Sequence, residues 1–376
     1  MSKKKLIIFT SSGGGGHTAA TQALTSYLES TYEIITIDIF NDVFKLVIIP
    51  KKLTLTDGYN LLLKKRFILL INICEPIYRF GFSCLFSFNT GLVKKALMAH
   101  KPDCVISVVP IVNDAILAAC QEMDISFFLI PTDFDPRHYL YGIKNPTYKK
   151  FFLARVIDDP KIDSYLYGTG IPRDQVLDTG FVIRADFFIP KDPIALKKKL
   201  HIPEKVPVIM ILLGSAGSDN TYTIARELHK LNTPCHVLFC IGRYTAIHDK
   251  ITALPLPDHI TIQVIEFTQD IADLMAVSDM FVTKPGPNSM SEALQMDVPI
   301  VIATFGRTLL WEKFNIGYVT KHGFGKVADT VNDIYRTIKE LLESPSRLKI
   351  IRERIAAREK KDIHKTIQEA LAHILK

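Results

Sequence analysis

The sequence predicts an α/β protein built from two doubly wound domains, each a parallel sheet with helices on both faces. Three observations carry that expectation. A β-rich run breaks at four consecutive glycines before a helical pattern, and a second series of apolar runs after residue 207 repeats the arrangement. The length of 376 residues is also enough for two domains of roughly 150 residues, each with its own core.

Residues 6–10 are apolar and β-rich and stop at Ser11-Ser12-Gly13-Gly14-Gly15-Gly16. Ala20, Ala23, Leu24, Tyr27 and Leu28 then recur at i, i+3, i+4, i+7 and i+8, which is one face of a helix. Strand, glycine turn and helix in succession open a nucleotide-binding type of α/β domain. Residues 33–39, 103–109 and 126–131 supply further strands, with room between them for crossover helices. The polar, proline-containing stretch 189–207 separates this series from a second, at 208–213, 235–241, 261–267, 279–283 and 299–303. Between these runs Ile224, Ala225, Leu228 and Leu231 mark a helix, as a second parallel sheet requires. The expected division is 1–188, 189–345 and a charged amphipathic closing helix at 346–376 that packs back across the domain junction.

Hydrophobic residues make up 48% of the chain and charged residues 23%, with Gly and Pro scattered, so a disordered or low-complexity protein is excluded. The six cysteines form no Cys-x-x-Cys pair and no Cys/His cluster at zinc spacing, which argues against a disulfide framework or structural zinc and fits a reducing cytoplasm. No apolar run reaches the roughly 20 residues of a membrane span. The apolar stretch after the N-terminal lysines is too short for a signal-peptide core. The formal charge of +7 comes without the aromatic interleaving of a nucleic-acid module, so an anionic membrane surface is the expected partner and nucleic acid is not.

Residues 45–101 differ in texture from both strand series. They mix Leu61-Leu62-Leu63, the run 67–71, Phe80, Phe82, Phe86 and Phe88 with Lys51, Lys52, Lys64, Lys65, Arg66, Lys94 and Lys95. Apolar surface flanked by lysine suits interfacial attachment, each basic residue near an anionic leaflet contributing on the order of 1 kcal/mol. The same aromatics also suit the core of the first domain.

Two segments could carry chemistry. Residues 267–271 and 283–294 place a strand, a glycine turn (Lys284-Pro285-Gly286-Pro287-Asn288-Ser289) and a helix start in succession, where backbone N–H groups and the positive helix end can hold a phosphate. Ser289 and Glu292 also read as a capping box, in which the glutamate serves the helix's own N–H, and spacing leaves both readings open. His17 follows the first glycine turn, and the ordinary histidine pKa suits a general base at neutral pH. A histidine there equally reads as a helix-start residue bonded to its own backbone. Asp133-Phe134-Asp135 has a spacing able to ligate Mg²⁺ or Mn²⁺ through oxygen, but the pattern is short and common and Pro136 follows at once. No metal and no other cofactor is expected.

These segments resemble the glycosyltransferase group that contains the monogalactosyldiacylglycerol synthases, the processive diacylglycerol glucosyltransferases and the peptidoglycan lipid-intermediate N-acetylglucosaminyltransferase, glycosyltransferase family 28. The likeness runs over most of the chain. It is carried by Gly-Gly-Gly-His-x-Ala-Ala from Gly14 to Ala20, Pro131-Thr132-Asp133-Phe134 with His138, Gly180-Phe181-Val182-Ile183-Arg184, Gly214-Ser215-Ala216-Gly217, Glu266-Phe267, and Lys284-Pro285-Gly286 with Ser291-Glu292-Ala293.

The resemblance implies the GT-B architecture, two Rossmann-like domains facing each other across a cleft, the first for the lipid acceptor and the second for the UDP-sugar. It implies inverting transfer of glucose or galactose from UDP to diacylglycerol at the inner face of the cytoplasmic membrane, the UDP-hexose being a substrate. Carried over, His17 is the general base, with Asp133 and His138 in reserve to orient it or position the acceptor. Gly14, Gly15 and Gly16 form the acceptor-side glycine loop. Lys284, Gly286, Asn288 and Ser289 hold the diphosphate, bordered on the other side by Gly214, Ser215 and Gly217. Phe267 lies beside the uracil, Glu292 accepts from the ribose hydroxyls, and Glu312 and Asn315 meet the hexose.

Two departures bear on specificity. Pro287 stands where related enzymes have a second glycine and removes one N–H. Trp311 replaces the glutamine of a Gln-Glu-x-x-Asn pattern, so the loop does not name the hexose. The competing readings are a UDP-N-acetylglucosamine transferase with a polyprenyl-linked acceptor, a UDP-N-acetylglucosamine epimerase, and a non-catalytic nucleotide- or lipid-binding relative.

Overall fold

The computed structural model describes residues 3–13, 15–45, 47–48, 53–64 and 67–376. Gly14, Lys51, Lys52, Lys65 and Arg66, named above, lie outside the described residues, as do the side chains of Leu63 and Lys64. The chain divides into two compact units, residues 1–185 with 361–376, and residues 186–360.

In the first unit β1 (Lys5–Thr10), β2 (Glu33–Asp38), β5 (Cys104–Ser107), β6 (Ser126–Leu129), β7 (Phe151–Arg155) and β8 (Val176–Asp178) form one parallel sheet in the order β2-β1-β5-β6-β7-β8. The short β3 (Val47–Ile48) and β4 (Leu53–Thr54) pair antiparallel as a separate ribbon. Leu6, Ile7, Ile8 and Phe9 are all buried, as a strand covered on both faces must be. Helix Gly16–Leu28 buries Ala20, Ala23, Leu24, Tyr27 and Leu28, the face its 3.6-residue period marks out, and the Tyr27 hydroxyl donates to Ile183 O.

The second unit is a six-stranded parallel sheet in the order β11-β10-β9-β12-β13-β14. Its strands are β9 (Val208–Leu212), β10 (Cys235–Gly242), β11 (Ile260–Glu266), β12 (Met280–Thr283), β13 (Ile300–Ala303) and β14 (Gly325–Ala328). Strand order reverses between β1 and β5 in one unit and between β9 and β12 in the other. At such a switch point the loops leaving adjacent strands diverge to opposite faces and open a crevice for a ligand.

The closing segment is two helices rather than one. Pro345–Ala356 belongs to the second unit and Ile363–Ile374 to the first. The break has a local cause: Asp362 is extended and its carboxylate accepts from Lys365 N at 3.0 Å, starting a new helix. That helix buries Ile363, Ile367 and Leu371 against the first unit, and Thr366 Oγ1 donates to Thr179 O at 2.7 Å.

Burial leaves an acid-sensitive group in the second core. His236 on β10 is buried with Nδ1 2.8 Å from Thr261 Oγ1, and desolvation lowers its pKa to about 4, against the opposing effect of Gln263. A histidine neutral when folded but free to charge when unfolded removes stability as pH falls. The loss begins near pH 6.5, grows by up to about 1.4 kcal/mol per pH unit and is complete near pH 4. The urea midpoint is therefore expected to drop between pH 7 and pH 4.5, with His236→Gln showing a smaller drop. An identical pH dependence in the variant would assign the effect elsewhere.

Candidate functional site

In the second unit the chain leaves β9 into Gly214-Ser215-Ala216-Gly217 and leaves β12 into Lys284-Pro285-Gly286, on the two strands where the order reverses. Gly214 has φ +100° and Gly217 φ +76°, and Gly217 N donates to Gly214 O at 2.9 Å, a turn in which any side chain is strained. A β-carbon on Gly217 would collide with Ile241 O and Tyr244 Cβ. One on Gly214 would meet Lys284 Cε and Nζ at 3.2 Å, so the Lys284 ammonium lies directly against this turn.

Helix Pro287–Gln295 follows at once, with Gly286 as N-cap and no side-chain cap. Its first internal bond runs from Met290 N to Gly286 O at 3.2 Å. Asn288 and Ser289 thus sit in the first turn, whose amides have no acceptor within the helix. This removes the capping-box alternative, because Ser289 is the third helical residue and not the cap. It also limits the effect of Pro287: at the first helical position the missing N–H has no helical partner in any case, and the ring presets the helical φ. Gly286 itself, at φ −78°, needs no glycine for backbone reasons.

Asn315 is 0% exposed and donates from Nδ2 to Pro285 O at 3.1 Å, so it supports the loop. Glu312, at the start of helix Glu312–Lys321, takes a 3.4 Å bond from Leu309 N. Burial raises its pKa, while the Lys284 charge and the Leu309 N–H pull it back. Glu292 is buried in the helix Pro287–Gln295. Phe267 keeps 45% exposure, and the Arg243 guanidinium lies 4.1 Å above its ring centroid. Arg243 was missed by sequence reasoning; its N–H donates to Ser215 O at 3.0 Å, tying Phe267 to the glycine turn. Strand, Gly242 and Arg at the end of β10 was the available signal. Lys284, Arg243 and a helix start in one place suit a diphosphate.

In the first unit His17 is the second residue of helix Gly16–Leu28, at the β1/β5 switch point. Its Nδ1 lies 2.8 Å from Val108 O and 2.9 Å from Thr132 Oγ1, and Thr132 Oγ1 is 2.7 Å from Tyr139 OH. A carbonyl only accepts, so Nδ1 carries the proton and Nε2 the lone pair. Desolvation lowers the His17 pKa to about 4, opposed by the Val108 bond and by Asp38. The ring is therefore neutral at pH 7 in the tautomer a base requires. Asp38, not anticipated, also accepts from Ser12 N at 2.9 Å and so pins the glycine turn.

Val108 and Thr132 hold the His17 ring through Nδ1. Asp133 Oδ1 accepts from Phe134 N at 2.8 Å. His138 Nδ1 lies 3.5 Å from Glu75 Oε1. Asp135 is engaged by Arg137, from Nε at 2.8 Å and Nη2 at 2.5 Å, because the tight turn at Pro136 folds the guanidinium back onto it. Gly15 is the N-cap of the His17 helix, with no side-chain cap, and Gly16 its first residue.

Residues 208–367 match the glycosyltransferase family 28 C-terminal domain. Over 268 residues it is 22% identical to a processive diacylglycerol beta-glucosyltransferase of Bacillus cereus (strain G9842), covering 70% of this chain and 65% of that protein. Over 277 residues it is 23% identical to monogalactosyldiacylglycerol synthase 1, chloroplastic, of Arabidopsis thaliana, covering 70% and 50%. The chain thus spans between half and two thirds of these relatives. Among solved structures, MurG of Acinetobacter baumannii superposes with a TM-score of 0.64 at 12% identity over 99% of both chains. The calicheamicin glycosyltransferase CalG4 gives 0.61 at 15% identity over 100% of this chain and 99% of that one. The fold is GT-B, and within the family 28 domain the Lys284 loop and the Gly214 turn meet at its switch point.

Proposed function

We propose that the protein is an inverting glycosyltransferase that moves glucose or galactose from a UDP-sugar to diacylglycerol at a membrane surface, forming a β-glycolipid. The observation that carries this reading is the Lys284 ammonium held against the Gly214 turn, beside the start of helix Pro287–Gln295 with Gly286 as its N-cap. His17 Nε2 takes the proton from the acceptor hydroxyl as that oxygen attacks the anomeric carbon. The bond from that carbon to the UDP oxygen breaks with its electron pair going to the diphosphate, whose charge Lys284, Arg243 and the first-turn amides of Asn288 and Ser289 offset. Asn315 and Asp38 keep the two loops in place. The uracil rests at Phe267, and Glu292 and Glu312 serve the ribose and the hexose.

The lipid acceptor is supported by the names of the relatives and by an exposed apolar helix, Ile68–Phe88, in the first unit. No single helix among the described residues is long and apolar enough to cross a membrane, although Ile68–Ile77 and Arg79–Phe86 together form a bent pair of that length and composition; the proposed attachment is peripheral. The test supplies UDP-[¹⁴C]glucose, UDP-[¹⁴C]galactose or UDP-[¹⁴C]N-acetylglucosamine with either diacylglycerol or a polyprenyl-phosphate-linked acceptor in anionic mixed micelles and resolves the lipid by thin-layer chromatography. Label from glucose or galactose is expected. Label only from N-acetylglucosamine, on a polyprenyl acceptor, would replace this reading with its nearest competitor, and no labelled lipid from any donor would end it.

A further inference from the structure

Helix Ile68–Phe88 has only two charged residues, Glu75 and Arg79, and both turn inward. Leu69, Ile73 and Ile77 recur at i, i+4 and i+8, which puts them on one stripe, Phe80 follows past the 49° bend between Ile77 and Arg79, and all four are exposed, Ile77 by 74%. Ile71, Glu75 and Phe86 occupy the opposite side and are buried. Burying a carboxylate in an otherwise apolar helix is costly unless it has a charged partner. Glu75, 4% exposed, has one in Arg79, whose Nε lies 3.2 Å from Oε1, and the same oxygen faces His138 Nδ1 at 3.5 Å, on a ring whose pKa burial lowers. The Arg79 guanidinium in turn lies 4.4 Å over the Tyr141 ring.

These contacts fall on the turn that supports His17. His138 and Tyr139 lie in the short helix Arg137–Leu140; Tyr139 OH meets Thr132, and Thr132 meets His17 Nδ1. The same turn holds the end of β5, since His138 O accepts from Ile111 N at 3.1 Å and Asn113 Nδ2 donates to both Tyr139 O and Val109 O. Both groups on His17 Nδ1 therefore lead back within a few residues to the segment that Glu75 grips. The outward stripe, with Lys64, Lys65 and Arg66 just before the helix in sequence and Lys94 and Lys95 after it, matches an anionic lipid leaflet in polarity and charge.

We infer that Glu75 is a positioning residue that transmits seating of helix Ile68–Phe88 on an anionic lipid surface to the His17 base through His138, Tyr139 and Thr132. The inference rests on the proposed membrane-surface reading, but its test does not depend on turnover. The full chain is labelled with diethyl pyrocarbonate at pH 7, with and without phosphatidylglycerol vesicles, and ethoxyformylation of His17 is followed by peptide mass spectrometry. Vesicle binding is measured in parallel by sedimentation.

The parent protein is expected to bind the vesicles and to change its His17 labelling rate at least threefold. Glu75→Gln is expected to bind equally and to show no such change, and Ile73→Ser/Ile77→Ser to lose both. An equal change in Glu75→Gln would mean that the membrane merely shields His17, and would overturn the coupling. So would binding by the parent with no change in labelling, or no binding. A protein with no transferase activity that still shows the Glu75-dependent change would sink the proposed function and leave this inference standing.

Discussion

His17→Gln is expected to lower kcat by a factor on the order of 10² to 10⁴, the usual contribution of a positioned general base, with UDP affinity unchanged. The variant keeps a polar side chain of similar size at the second residue of helix Gly16–Leu28 but has no lone pair of comparable basicity at the Nε2 position. Isothermal titration with UDP and initial rates of lipid labelling separate the two effects. The parent's pH profile supplies a second measurement. Because desolvation lowers the His17 pKa to about 4, the acid limb of kcat/KM for the parent belongs near pH 4, and activity stays level from there through neutrality. A limb centred at 6.5 would mean that the base is a solvated histidine. Full activity of His17→Gln would remove it from the chemistry.

On the donor side, Lys284→Met is expected to reduce kcat/KM by roughly 10² or more, the scale for losing one group that stabilises a developing charge. Methionine preserves most of the aliphatic stem against the Gly214 turn, so thermal stability should hold within a few degrees. Gly217→Ala tests the turn itself. Its φ of +76° and the collision with Ile241 O and Tyr244 Cβ leave an alanine no relaxed position, and roughly 1–3 kcal/mol of backbone strain adds to the steric cost. A lower melting temperature and loss of UDP binding follow. Gly286→Ala is the control: at φ −78°, with its β-carbon 3.8 Å from Lys284 Cε, it should bind UDP within about twofold of the parent, since a substitution that strains nothing changes free energies by only a few tenths of a kcal/mol. Equal damage from Gly286→Ala and Gly217→Ala would show that the turn geometry is not what matters.

Local sequence was a good guide to the strands that border both loops. β1, β5, β6, β9, β10, β12 and β13 are largely apolar runs, and each falls within a residue or two of its expected place. β8, only Val-Leu-Asp, and β14, Gly-Lys-Val-Ala, were not anticipated, because short edge strands lack the apolar run that full burial imposes, and β7, Phe-Phe-Leu-Ala-Arg, was missed although its apolar run was legible. The aromatic-rich stretch divides in a way composition leaves open: Phe86 packs with Phe40, Phe44 and Phe82, whereas Phe88 is 89% exposed. Only the neighbours each helix acquires determine which ring is covered.

The sequence alone determined two α/β halves, a glycine turn after the first strand of each, and the location of His17 and Lys284 beside glycine-containing turns. These follow from residue periodicity and from the breaks that glycine makes in it, which are properties of contiguous segments, and among the described residues of these turns only Gly214–Gly217 uses positive φ. Tertiary structure decided the roles around them. His17 owes its tautomer to Val108 and its place to Thr132, 91 and 115 residues away, Asn315 ties itself to Pro285 O, and Arg243 comes to lie on Phe267. Hydrogen-bond partnership and burial join residues that only the folded sheets bring within about 3–4 Å, and no spacing along the chain encodes them.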